Sequence, residues 1–168
     1  MASEARQIVA AVKAALELAD GQGVWSYDLS SAVYRGKPQI LAFSGPCEVW
    51  IDVPELDTRR DGGRTPLGHW DRILGVRIVG LVPGMDDAET RQDALLDLAD
   101  TIFRALEVDQ QIGMPQTVIE IGRPRCELMG GHRLAEIDFL GVDQGQEMPG
   151  LAACVITFAV AYRLTTGV

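Results

Sequence analysis

The segment 152–164 constrains the fold more than any other part of the sequence. Its residues alternate between two sets of side chains, and both sets are largely apolar. Successive side chains of a strand point to opposite faces of the sheet. A strand with two apolar faces is expected at the centre of a sheet, or covered on both sides. One set contains Ile156, Phe158, Val160, Tyr162 and Leu164, and the other contains Val155, Thr157, Ala159, Ala161 and Arg163.

Several other segments carry strand signals. Alternation of apolar and polar residues predicts strands over 47–53, which Pro54 closes, and over 70–82. Aromatic and β-branched residues favour a strand within 24–34. Weaker signals predict strands in pieces over 117–128, broken by Gly122 and Pro124, and over 133–141, whereas 39–43 is ambiguous.

Two segments have helical periodicity. Residues 4–19 repeat apolar side chains at helical spacing until Asp20-Gly21, where glycine suits a left-handed end. A second helix is predicted over about 87–107, with Asp86 and Glu89 at capping-box spacing. Its apolar stripe consists of Leu95, Leu98, Ile102 and Leu106.

The order of these elements predicts the fold class. Strands come in runs separated by helices, rather than alternating with them one by one, which favours an α+β fold. We therefore expect a mostly antiparallel sheet with two main helices packed on one face. The 168 residues are the length of one domain, so 1–168 is predicted to be a single domain.

The segment 54–69 is rich in Gly, Pro and charge and has no periodicity, so it is predicted to be a long, flexible hairpin loop. It holds the only basic cluster of the sequence: Arg59, Arg60 and Arg64. Two explanations of this cluster are equally good. The arginines lie at a solvated loop tip, or they contact an acidic neighbouring subunit. On the second hypothesis these arginines are subunit-interface candidates.

The charge and the ionisable residues exclude several classes of function. The formal net charge is −9, which disfavours a duplex nucleic-acid binder and an anionic membrane surface as partners. His69 and His132 have no partner at metal-ligand spacing, and the three cysteines form no CxxC pair. Glu136 and Asp138 fit a solvated strand face better than a metal site. We therefore expect no enzyme activity, no catalytic residue, no bound metal and no cofactor.

The element order resembles that of the tail terminator, or tail completion, proteins of long-tailed bacteriophages of the lambda type. The segments that carry this resemblance are an Ala-rich first helix, the strand 72–80 (RILGVRIVG), the helical segment 86–106 (DDAETRQDALLDLADTIFRAL) and the last strand 152–163 (AACVITFAVAYR). The resemblance covers nearly the whole chain through element order and hydrophobic pattern, without a catalytic motif.

The resemblance implies a virion protein of the tail or neck that is assembled in the host cytoplasm. Its partners would be copies of itself in a ring, typically six, together with the tail-tube protein and head–tail connector proteins. The ring would stop tube polymerisation and join the head, while DNA passes through its lumen without specific binding. A head–tail connector or head-closure protein is the nearest alternative. A small α+β enzyme or ligand-binding domain is a further one.

Overall fold

The α+β prediction is confirmed: a computed structural model of the chain has two helices and a mostly antiparallel six-stranded sheet. It describes residues 2–38, 45–60, 70–83, 87–108, 114–130 and 151–164. The elements in chain order are α1 (Glu4–Glu17), β1 (Val33–Arg35), β2 (Glu48–Arg60), β3 (Trp70–Val82), α2 (Ala88–Val108), β4 (Val118–Ile121), β5 (Arg125–Gly130) and β6 (Ala152–Leu164).

The centre of the sheet is the pair formed by β3 and β6. These strands are antiparallel and in register over thirteen residue pairs, from Trp70 opposite Leu164 to Val82 opposite Ala152. β2 pairs with the other edge of β3, and the short β1 runs parallel to β2. β4 and β5 both pair with β6, so they act as two halves of one interrupted edge strand. The prediction of a central position for β6 is confirmed.

The two helices lie on one face of this sheet, as predicted. Ile8 and Val12 of α1 and Leu98 and Ile102 of α2 belong to one buried cluster with alternate residues of β2, β3 and β6. We call this side the helix face and the opposite side the outer face. Ile78 is among the fully buried residues of the helix face. Burial of apolar area at this interface is the main favourable term for the fold.

The helix ends differ in detail from the prediction. α1 begins after Ser3, whose hydroxyl accepts a hydrogen bond from the Arg6 backbone N–H, and it ends at Glu17. Gly21 has a positive φ of 76°, but it lies in the turn beyond the helix end. At the start of α2 the cap is Asp87 rather than Asp86, since the Asp87 carboxylate accepts hydrogen bonds from the Glu89 and Thr90 N–H groups. Asp86 lies outside the described residues.

The prediction that Pro54 closes the second strand is wrong, and so is the loop prediction for residues 54–60. β2 continues to Arg60 because the pairing register shifts between Asp52 and Glu55, where β2 has one residue more than β3. Proline donates no backbone hydrogen bond, and a β-bulge is a position that tolerates this loss. Residues 61–69 lie outside the described residues.

The remaining strand predictions have mixed outcomes. Within 24–34 only the last two residues, Val33 and Tyr34, are in a strand, β1. The segment 117–128 does form two pieces, and the break lies at Gly122–Pro124. Its backbone still follows β6 there, because the Gly122 N–H donates to the Ala159 carbonyl at 2.7 Å. The segments 39–43 and 133–141 lie outside the described residues.

Close contact between α2 and the sheet depends on Gly80 of β3. A Cβ atom at this position would lie 2.7 Å from Cys154 Sγ and 2.9 Å from Leu98 Cδ2. Both neighbours are fully buried. The absence of a side chain therefore allows the helix to approach β3 and β6 at this point.

We expect Gly80→Ala to lower the free energy of unfolding by about 1–3 kcal/mol, because the added methyl group overpacks this contact. Gly45→Ala is the matched control, since a Cβ at Gly45 has no atom within 4 Å. Urea denaturation of both variants measures the difference. A Gly80→Ala protein as stable as the wild type would contradict the proposed contact.

Candidate functional site on the outer face of the sheet

The outer face has an apolar end and a charged end. At the apolar end, Trp50, Val79, Leu81, Met129, Ala153 and Val155 form a second buried cluster. The Tyr34 ring stacks on Trp50 with 4.8 Å between the ring centroids. The alternation in the sequence predicts apolar surroundings for both faces of β6. For this end of the strand the prediction is confirmed.

Glu48 lies buried beside this cluster. Its Oε2 accepts a hydrogen bond of 3.3 Å from Trp50 Nε1, and the residue is only 4% exposed. Burial raises the pKa of the Glu48 carboxyl above its ordinary value, and the bond from Trp50 offsets part of that effect. The charged form of this carboxyl is therefore disfavoured next to an apolar surface.

Two ion pairs mark the charged end. Arg77 Nη2 lies 2.7 Å from Asp52 Oδ2, and both side chains are mostly buried. Arg163 Nε lies 3.2 Å from Asp71 Oδ1. In each pair the two residues are directly opposite on neighbouring strands, so the register of the sheet fixes which charges meet.

A groove of about 380 Å³ crosses the outer face beside the Asp52–Arg77 pair. Its floor is formed by small residues of the two central strands, Gly75 and Ala159, with Thr157 beside them. Glu55 of β2 lies on one side of this floor, where it is opposite Gly75. Arg123 and Arg125, at the break between β4 and β5, lie on the other side.

The two arginines of the groove are exposed, and within the described parts of the chain neither forms an ion pair. Because both side chains are exposed, they can contact a negatively charged partner. The sequence did not single them out, because they are separated by Pro124 in a segment with weak periodicity. They come together with Glu55 and Gly75 only through the pairing of β5 with β6 and of β3 with β2.

The predicted interface arginines are placed only in part. Arg59 and Arg60 are the last residues of β2, in register with Asp71 and Trp70. Arg64 lies outside the described residues, as do His69, His132, Glu136 and Asp138. A contact of Arg59, Arg60 and Arg64 with a neighbouring subunit stays a prediction.

The chemistry available in the described residues is limited. In the ranges given above, no group of three His, Cys, Asp or Glu side chains is placed to hold a metal ion. A second hollow runs along residues 114–121, and Glu120 is the one ionisable residue of its lining.

No helix of the described chain is long and apolar enough to cross a membrane. Comparison with protein-family models and with curated proteins gave no match.

We expect Glu48→Gln to stabilise the protein increasingly as the pH rises above the ordinary pKa of a glutamate. The folded state binds the Glu48 proton more tightly than the unfolded state, so the wild type loses stability as this proton dissociates. The glutamine still accepts the Trp50 hydrogen bond but carries no charge. Thermal unfolding of both proteins between pH 4 and pH 8 measures the difference. A difference that stays constant over this range would contradict a raised pKa.

We expect Cys126 to be the only one of the three cysteines that reacts rapidly with a thiol reagent in the folded protein. Cys126 is exposed, whereas Cys47 and Cys154 are buried. Burial also raises the pKa of each buried thiol to about 12, which leaves almost no thiolate near neutral pH. Mass spectrometry after brief labelling counts the modified thiols, with urea-unfolded protein as the control. Equally rapid labelling of Cys47 or Cys154 would contradict their burial.

Proposed function

We propose that this chain is a structural protein of a long-tailed bacteriophage virion, a tail terminator. In this proposal it assembles as a ring on the end of the tail tube, stops polymerisation of the tube and forms the joint to the head. DNA passes through the lumen of the ring without specific binding.

The observation that carries the proposal is the difference between the two sides of the sheet. The helix face is filled by α1 and α2, whereas the outer face combines ion pairs with a groove that has arginines along one side. Such a polar and partly apolar surface around a cleft is typical of protein–protein contacts. The described residues that line the groove include no histidine, no cysteine and no carboxylate other than Glu55, so they do not suggest acid–base chemistry.

The order of elements gives independent support. It is the order on which the resemblance to tail terminators rests, with a first helix, a long central strand, a second long helix and a last central strand. The net charge of −9 also suits a wall past which DNA moves, because like charges keep the nucleic acid from adhering.

Mass photometry of the purified chain, followed by electron microscopy, tests this proposal. We expect a ring of about six copies with a central passage, and binding of that ring to one end of purified tail tubes of the same phage. A chain that stays monomeric, both alone and with tail tubes, would overturn the proposal.

The same experiment separates the two neighbouring roles. A ring that binds the head portal and ignores the tail tube would identify a connector instead of a terminator.

A further inference from the structure

The surface of α2 that faces away from the sheet is acidic. Asp93, Leu96, Asp97 and Asp100 are spaced i, i+3, i+4 and i+7, so they share one side of the helix, and all four are exposed. We call these residues the acidic helix face. Asp100 is paired with Arg104 at 2.7 Å, whereas Asp93 and Asp97 form no ion pair within the described chain. Leu96 is 49% exposed and adds an apolar contact at the flank of these acids.

The groove on the outer face has dimensions that suit a helix. From Glu55 on β2 to Arg123 and Arg125 beside β6, the groove spans three strand spacings, or roughly 14 Å. An α-helix with its side chains is roughly 10–12 Å wide. The floor residues Gly75 and Ala159 have almost no side chain, which allows a helix to approach the sheet closely, as Gly80 does on the helix face.

The charges of the two surfaces are complementary. Arg123 and Arg125 line one side of the groove, and the acidic helix face carries Asp93 and Asp97, which pair with no cation among the described residues. Glu55 on the opposite side disfavours an acidic residue there, so it would orient the helix with its aspartates toward the arginines and Leu96 toward the floor. In one molecule the two surfaces lie on opposite sides of the sheet, so they cannot meet within the same chain.

We propose that the groove binds the acidic helix face of a second copy of this chain. This inference rests on the ring-forming role proposed above and names the surfaces that form the ring. The contact is head-to-tail, since each copy offers a groove to one neighbour and a helix to the other. Contacts of this kind close into a ring when the rotation between copies allows it.

Charge exchange between the two surfaces tests the proposal. One variant carries Arg123→Glu with Arg125→Glu, and the other carries Asp93→Arg with Asp97→Arg. We expect each variant alone to associate with itself at least about 100-fold more weakly than the wild type, because like charges then meet at the contact. An equimolar mixture should assemble again, with the two variants alternating. Native mass spectrometry reads the stoichiometry, and circular dichroism checks that both variants are folded.

Lys13→Glu with Arg6→Glu on α1 is the matched control for the Arg123→Glu, Arg125→Glu variant, because it makes the same change in net charge without altering either surface. We expect this control to assemble like the wild type. If both charge-exchanged variants still form rings, the groove and the acidic helix face are not the contact, although the ring-forming role remains. If the wild type is monomeric, both proposals fail.

A disulfide cross-link decides the question if charge exchange unfolds the chain. Leu96→Cys and Ala159→Cys are introduced together in a Cys126→Ala background, since both positions are exposed. We expect oxidation to form disulfides between position 96 of one copy and position 159 of the next. A denaturing gel without reductant would then show a ladder of covalent oligomers. If oxidation produces no covalent oligomers at concentrations where the protein is assembled, the proposed contact is wrong.

Discussion

The rest of the fold depends on the thirteen-residue antiparallel ladder between β3 and β6. The two strands are in register from end to end, so each alternate residue is assigned to the helix face or the outer face along their whole length. α2 packs on this pair at Gly80. β2 pairs with one edge of it, β4 and β5 pair with the other, and β1 pairs with β2. A slip of one residue in this register would turn one of the two strands over, so that its buried residues would lie on the wrong face.

The ladder also explains why the two faces differ. On the helix face the alternate residues are apolar from Leu74 to Val82, which is what two covering helices require, and Arg72 lies at the end of this set. On the outer face, Val79 and Val155 are opposite each other and buried. The next pair on this face, Arg77 and Thr157, lies where the ion pairs and the groove begin. Glu55 enters the groove because the bulge at Pro54 shifts the side-chain order of β2 by one residue.

Much of the fold was predictable from the sequence, and the bulge explains the main failure. The alternation of side chains predicts β3 and β6 correctly, because both strands are long and keep the two-residue repeat along most of their length. Helical periodicity located α1 and α2 for the same reason. Pro54 was interpreted as an end because proline interrupts a regular strand, and the charged residues after it resemble a loop. Only the pairing with β3 shows that the strand continues through an irregularity.

The candidate site was much less predictable. Arg59, Arg60 and Arg64 were selected because they are close in sequence, whereas Arg123 and Arg125 meet Glu55 and Gly75 only across four strands. Sequence spacing cannot report contacts of this kind, since they depend on strand order. The burial of Glu48 likewise depends on apolar residues that β3 and β6 contribute beside it.

In the proposed assembly, copies of this chain join with the helices of one against the outer sheet face of the next. A cryo-electron microscopy reconstruction of the wild-type assembly would show this contact. We expect a closed ring in which α2 of each subunit lies in the groove between Glu55 and Arg125 of its neighbour. A two-fold dimer, or a ring in which the groove faces solvent, would contradict it.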